Sequence, residues 1–173
     1  MSTNLHIAQL VSPDISDFDR LVVILKEAFA FQDGIVNPPS SVTRVDTAEL
    51  QWRFERDTVL VARDMDRDGV IIGQVWIEQT PEDAYLYKLS VDKAAHGQGI
   101  GRALVQAALE YVARNSTISR ARLNVRKELD GNIAFFKRCG FAITDTGTHD
   151  GFDQPTFFIM TRDIGRHETL SIA

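Results

Sequence analysis

The stretch A-A-H-G-Q-G-I-G, residues 94–101, places three glycines in eight residues. A strand-like run, A-Y-L-Y-K-L-S-V (84–91), precedes it, and an apolar helical pattern begins at Ile100. A helix opens with backbone N–H groups that have no internal partner. A glycine-rich turn just ahead of it lets those donors converge on an anion with no side chains in the way, and the helix dipole adds a modest favourable contribution. The spacing therefore predicts a phosphate cradle at Gly97, Gln98, Gly99, Ile100 and Gly101. A tight strand-to-helix turn that binds nothing accounts for this stretch alone equally well. Two other phosphate loops are excluded by local grammar. A dinucleotide-binding turn places its glycines after the first strand of an alternating unit, with a later acidic residue for the ribose. A nucleoside-triphosphate loop carries Lys-Ser or Lys-Thr after its last glycine, where this chain has Arg102-Ala103.

Outward from the cradle, the pattern from Ile100 to about Asn115 is the clearest helix, with Leu104, Ala107, Ala108 and Tyr111 along one side and Val105, Leu109 and Val112 beside them. Upstream, Leu5 to Leu10 reads as a strand, and Phe18, Leu21, Val22, Leu25 and Phe29 recur at helical spacing after Pro13-Asp14. Consecutive prolines make G-I-V-N-P-P-S-S (34–41) a loop, with a short helix near Thr47 to Phe54 after it. Residues 58–62 and 70–77 read as a hairpin around a turn at Asp66 to Gly69. Downstream come a strand from Arg120 to Val125, a short helix from Gly131 to Arg138 that Gly140 is placed to end, and strands at 141–143 and 156–161. This order predicts an α/β (α+β) fold, a mixed central sheet flanked by helices, with no composition shift to mark a second domain.

The net charge of −5 argues against nucleic acid or an anionic membrane surface as the main partner. No apolar run reaches the roughly 20 residues needed to span a bilayer. The N-terminal M-S-T-N-L-H lacks the basic and apolar stretches of a signal peptide. Cys139 is the only cysteine, so an intramolecular disulfide and a sulfur-rich metal site are both excluded. A cytoplasmic location and the absence of a metal are the resulting expectations. The tail, G-R-H-E-T-L-S-I-A (165–173), carries no motif that points to a separate activity.

The run L-S-V-D-K-A-A-H-G-Q-G-I-G-R-A-L-V (89–105) resembles the acyl-coenzyme A signature of the GNAT N-acetyltransferase superfamily. Downstream, N-I-A-F-F-K-R-C-G-F (132–141) resembles that family's second recurring segment. The resemblance is clearest over residues 58–141; residues 1–57 match only in the order of elements. It implies a single acyl-CoA N-acyltransferase-like domain over residues 1–173, an acyltransferase that takes acetyl-CoA as donor. The donor would lie between the strand ending near Val91 and the strand near Leu123 to Val125. Its pyrophosphate would meet the amides of Gln98, Gly99, Gly101 and Arg102, with Gly97 shaping the turn. The backbone of Leu89 and Val91 would hold the pantetheine arm, and Asn132 would contact the same molecule.

Two positions depart from the family. His96 stands where Arg or Gln is usual, and an imidazole still donates a hydrogen bond. Phe136 stands where the family often has a tyrosine whose hydroxyl protonates the leaving thiolate, and phenylalanine has no proton to give. Three readings follow. The thiolate leaves unassisted, another acid such as Tyr87, Tyr111 or a water replaces the hydroxyl, or the domain is a non-catalytic acyl-CoA-binding sensor or interaction domain.

In the family, a bound amine attacks the thioester directly. The protein must orient the two substrates, polarise the carbonyl and take up a proton. Candidate bases are Glu78, at the end of the hairpin strand, and His149 with Asp150 in the loop T-H-D-G-F-D. Tyr85 and Tyr87 share a face of the strand that borders the donor. Cys139, beside Gly140, reads as core filler rather than nucleophile. Phe29, Phe31, Asn37, Pro38 and Pro39 lie where the family covers its acceptor, and Asp33, Asp46 and Glu49 could attract an amine there. Trp52 and Trp76 read as core, with one tryptophan lining a pocket as the alternative. The basic residues at 120, 122, 126 and 127 are within sequence reach of the donor's 3′-phosphate. The acceptor stays open among a small amine, an amino acid, a peptide terminus and a protein lysine, and a homodimer fits the family.

Overall fold

The computed structural model describes residues 3–165; the tail discussed above lies, from residue 166 onward, outside the described residues. Seven strands form one sheet in the order β1-β2-β3-β4-β5-β7-β6. They are β1 (Leu5–Gln9), β2 (Thr58–Asp64), β3 (Val70–Gln79), β4 (Ala84–Val91), β5 (Arg120–Arg126), β6 (Ala142–Gly147) and β7 (Phe157–Asp163). The helices are α1 (Ile15–Phe29), α2 (Thr47–Phe54), α3 (Ile100–Asn115) and α4 (Asp130–Arg138). All strand pairs are antiparallel except β4 with β5, so the sheet is mixed as the sequence predicts. β6 continues the strand that residues 141–143 open, pairing with β7 from Ala142 to Gly147.

Local chemistry fixes the helix starts. Asp14 accepts the Asp17 amide at 3.0 Å while the Asp17 carboxylate accepts the Asp14 amide at 3.1 Å, a reciprocal cap on α1. Asp46 does the same work for α2, accepting the Glu49 amide at 2.8 Å. Alternation along the strands then gives the sheet two apolar faces. On one, Phe18, Leu21, Ile24 and Leu25 of α1 pack against Val59, Val61, Ile71 and Trp76. On the other, Leu104, Val105, Ala108 and Val112 of α3 pack against Leu60, Ile72, Val75 and Ile77. Each such fully buried side chain contributes about 1.5–3 kcal/mol relative to exposure.

One polar pair is embedded in the first core. Gln74 donates to the Leu21 carbonyl at 2.8 Å and accepts the Trp76 indole N–H at 2.8 Å, so both groups are satisfied. Trp76 is thus core, as expected. Trp52 is not: it is 53% exposed, with the Arg56 guanidinium over its ring at 4.1 Å.

Candidate active site

β4 and β5 pair only at Ala84↔Ala121 and Tyr85↔Arg122. Past that point β5 remains paired with β7 as far as Arg126, and its separation from β4 opens a gap in the middle of the sheet. Two clefts occupy it: a chamber of about 250 Å³ and a groove of about 440 Å³. Phe29, Gln32, Leu89, Asn132 and Phe136 line both, and so form the throat between them.

A bulge in β4 shapes this throat. The β3–β4 register runs Gly73↔Val91 and Gln74↔Ser90, then resumes at Trp76↔Tyr87. Lys88 and Leu89 therefore stand opposite Val75 alone. Lys88 has φ of 51°, left-handed for a non-glycine residue, a conformation that costs about 1–2 kcal/mol. A bulge leaves the ladder locally unpaired, here at Leu89 in the throat.

The groove ends on the glycine turn. Asp92 anchors the approach: its amide donates to the Ile72 carbonyl at 2.7 Å, its carboxylate accepts the Ala94 amide at 2.9 Å, and Arg20 ion-pairs with it. His96 Nε2 lies 2.9 Å from the Val91 carbonyl; a carbonyl only accepts, so the proton is on Nε2. The imidazole thereby occupies one acceptor position of a backbone group that the family resemblance gives to the pantetheine arm. Gly97 and Gly99 have φ of 77° and 76°, and a Cβ at either would meet nothing within 4 Å. Gly99 is the N-cap of α3, and no side chain caps the helix. Uncapped amides facing open space fit an anionic phosphate group. Gly97, Gly99, Gly101, Arg102, His96, Leu89, Val91, Asn132 and Phe136 all line this groove. Gln98 does not: its side chain turns away to accept the Thr3 hydroxyl.

In the chamber, the Tyr87 hydroxyl donates to the Asp57 carboxylate. Burial, reinforced by Asp57, raises its pKa far above the usual tyrosine value. Tyr87 therefore holds its proton against Asp57 and is no ready replacement for the acid missing at Phe136. Tyr85 stacks on Tyr87 with ring centroids 5.5 Å apart and carries the Arg122 guanidinium at 4.5 Å. Burial raises its pKa as well. The Lys88 side chain is 9% exposed, with Nζ 3.8 Å from the Glu49 carboxylate. Burial first, and then Arg53, pull its pKa down against Glu49.

The other predicted catalytic residues lie outside both clefts. Glu78 is exposed at the end of β3, opposite Tyr85, and lines neither cleft, so it does not look into the gap. His149 is occupied at both ring nitrogens. Nδ1 is within hydrogen-bond distance of the Thr156 hydroxyl, and Nε2 is 3.2 Å from Arg126. A guanidinium only donates, so Nε2 accepts and the ring is neutral; burial, and then Arg126, lower its pKa. Its role is to hold Arg126, which does line the chamber. Tyr111 faces Thr58 and lines neither cleft. Cys139 is buried and its thiol pKa is pushed up by that burial, as core filler requires.

The remaining expectations divide. Phe29 lines both clefts, Phe31 the groove, and the Pro38 carbonyl accepts from Arg126. Asp33, Asp46 and Glu49 line neither. Arg120 and Arg122 pair with Asp83 at 3.7 and 2.9 Å, and Lys127 lies over the Phe158 ring at 5.7 Å. The arginines gathered beside the cradle are instead Arg102, Arg138 and Arg162, around a further pocket of about 260 Å³. No group of three or more metal-ligating side chains occurs among the described residues, and no described helix is long and apolar enough to cross a membrane. Sequence reading missed Gln32 and Lys88. Gln32 is a polar residue only 4% exposed, and its side-chain amide has no hydrogen-bond partner among the described residues.

Comparison with known proteins agrees with this geometry. A mycothiol acetyltransferase from Jonesia denitrificans is 31% identical over 146 residues, 82% of this chain and 44% of the relative. Another, from Salinispora tropica, is 35% identical over 105 residues, 55% of this chain and 34% of the relative. The chain thus spans less than half the length of either. The crystal structure of the PaiA N-acetyltransferase from Thermoplasma acidophilum, in complex with coenzyme A, has the same fold. Its TM-score is 0.74 at 21% identity, covering 92% of this chain and 99% of that one. The model of the acetyltransferase (GNAT) family matches residues 23–141. The chain belongs to the acetyltransferase (GNAT) family.

Proposed function

We propose that the chain transfers an acetyl group from acetyl-CoA to a primary amine by direct attack in a ternary complex. The observation that carries this reading is the continuity of an uncapped, side-chain-free helix start with a second chamber through the Leu89 throat. On this reading the α3 amides at Gly99 to Arg102 receive the pyrophosphate, and the pantetheine arm runs along Leu89 to Val91. The thioester then sits in the throat, where the backbone freed by the bulge polarises its carbonyl. The amine enters from the chamber, and no acyl-enzyme forms.

Proton handling follows from what lines the clefts. Among the described lining residues there is no carboxylate. The only imidazole, His96, is held at Nε2 by Val91. The amine therefore attacks in its neutral form and its proton leaves to water. With Phe136 at the throat, the thiolate departs without a protein acid, which a thiol of pKa near 8.5 tolerates.

A second reading, a sensor that binds acyl-CoA without turning it over, is favoured by Phe136 alone. Amine-dependent release of free thiol separates the two. Calorimetry with coenzyme A tests the cradle that both share. Gly99→Ala puts its Cβ in open space but strains a left-handed residue, a strain that Gly99→Glu shares, so the alanine variant should bind within about tenfold of the parent. Gly99→Glu should bind roughly ten- to a hundredfold more weakly still, because its carboxylate faces the pyrophosphate. Equal affinities for the two variants would remove the cradle and both readings with it.

A further inference from the structure

The chamber lining contains two cationic side chains, Lys88 and Arg126, and no aspartate or glutamate. That balance is unexpected in a site for an amine, which is an ammonium ion in neutral water. Among the described residues most half-buried arginines are ion-paired, Arg162, which donates to the Cys139 carbonyl at 2.6 Å, being an exception outside the chamber. Arg20 has Asp92, Arg53 has Glu49, Arg63 has Asp17, and Arg122 has Asp83.

Arg126 differs. Among the described residues no carboxylate oxygen stands within ion-pair distance of it. Its guanidinium is held by two neutral acceptors, the Pro38 carbonyl and His149 Nε2. Its Nε is buried with no hydrogen-bond partner. The nearby Glu128 carboxylate accepts the Asn37 amide at 3.2 Å and compensates Arg126 only through its field, beyond ion-pair distance. Lys88 is only partly compensated, because Glu49 lies 3.8 Å from it while also holding Arg53 at 2.9 Å. Two cations thus share one carboxylate on that wall. The Lys88 side chain is largely buried and Arg126 half-buried; cations taken out of water are normally paired, so a lining of this kind favours an entering anion.

Resting on the acetyltransferase reading above, we propose that the acceptor is an amine that also carries an oxyanion, a carboxylate or a phosphate monoester, and that Arg126 and Lys88 receive that group in the chamber. The planar guanidinium, steered by Pro38 and His149, suits two-point contact with either oxyanion. The neutral amine then points to the throat. An acceptor bearing amines alone finds no carboxylate in the chamber lining to offset the two cations.

The test uses the full chain with saturating acetyl-CoA and matched pairs of acceptors, read by free thiol release. The carboxylate arm compares each α-amino acid with its decarboxylated amine. The phosphate arm compares O-phosphoethanolamine with ethanolamine. In at least one arm the anionic member should show kcat/KM about ten- to a hundredfold above its partner, the range of one charge-assisted hydrogen bond. Arg126→Met should erase that ratio, and Arg126→Lys, which keeps the charge and guards against a merely misfolded variant, should retain part of it. A charge-free partner that reacts as fast, or an unchanged ratio in a folded Arg126→Met variant, overturns the proposal. If no anionic amine reacts while calorimetry shows coenzyme A bound, the acceptor class is refuted and the donor site stands. Absence of coenzyme A binding removes the acetyltransferase reading itself.

Discussion

Replacing Gln32 with methionine should make the protein more stable and less active at once. Gln32 lies in the single 3₁₀ turn Ala30–Gln32 that follows α1, and it is 4% exposed in the throat. Its backbone carbonyl accepts the Ile35 and Val36 amides at 3.0 and 3.2 Å, bonds that any side chain at this position preserves. The side-chain amide makes none among the described residues. An amide sealed from water without a partner costs about 1–3 kcal/mol, but neither polar atom of the Gln32 side chain is among the sealed, unpartnered atoms of the described residues. Methionine nearly matches its length and volume, so no cavity opens. Water in the cleft reaches the amide, so the gain is at most about 1 kcal/mol, or no more than roughly 2–4 °C in Tm for a chain of this size.

Activity should move the other way. In the ternary complex proposed above, a Gln32 amide that lines both clefts would hydrogen-bond the reacting groups, as donor or acceptor. Its loss removes about 1–1.5 kcal/mol, close to tenfold in kcat/KM for the acceptor. The measurements are thermal unfolding without ligands and thiol release across an acceptor titration. A lower Tm with unchanged kcat/KM would show that Gln32 serves the fold, and would refute its assignment to the throat chemistry. A positioning role would appear as the opposed pair of changes, which a merely structural role cannot produce.

Two further predictions separate structural from chemical roles. Tyr87→Phe deprives the Asp57 carboxylate of its hydroxyl donor and should lower stability by about 1–2 kcal/mol in urea titration. Its kcat should stay within about threefold, as expected for a group outside the proton path; a hundredfold fall in a folded variant would make Tyr87 the missing acid after all. For His149, burial and Arg126 hold the folded pKa below the ordinary 6.5, so the unfolded chain binds the proton first. Stability is therefore fully present above pH 6.5 and declines as pH falls through the folded pKa. His149→Gln should flatten this limb of the urea midpoint against pH, and parallel curves for parent and variant would sink the assignment.

Much of the scaffold is legible because its determinants are local. The Asp14 cap and the Phe18, Leu21, Leu25 spacing specify α1, and Thr47–Phe54 is helical where the sequence predicts it. The glycines at 97 and 99 declare the left-handed turn before α3 on their own. The gap between β4 and β5 is not local: it exists because β5 pairs with β7, drawn from the far end of the chain. The bulge did leave a trace. Ala84 and Leu86 face the α3 core, and strict alternation would send Lys88 there too. Instead the core-facing positions skip to Leu89 and Val91, and a lysine where the period demands an apolar residue marks the skipped place. Gln32 left none, since its meaning lies in the partners it lacks. The settings of Glu78 and His149 were hidden for a related reason: composition shows which groups can titrate, and only the packing shows that one faces solvent and the other holds Arg126.

Phe136 and the carboxylate-free chamber pose opposite proton problems, one lacking an acid and the other a base, and a positive lining addresses both. A cation near an amine disfavours its ammonium form, lowering its pKa and raising the share of nucleophile at neutral pH. A cation near a departing thiolate favours the charged form, so less is gained by protonating it. Lys88 and Arg126 are placed for the first effect at the amine. Lys88, one residue from the throat at Leu89, is also placed for the second. A pH–rate profile on the proposed reaction should then rise with the pKa of the acceptor amine and shift when a more weakly basic acceptor is used. A limb that stays fixed as the acceptor changes would belong to the protein, and would point to a titrating base within it.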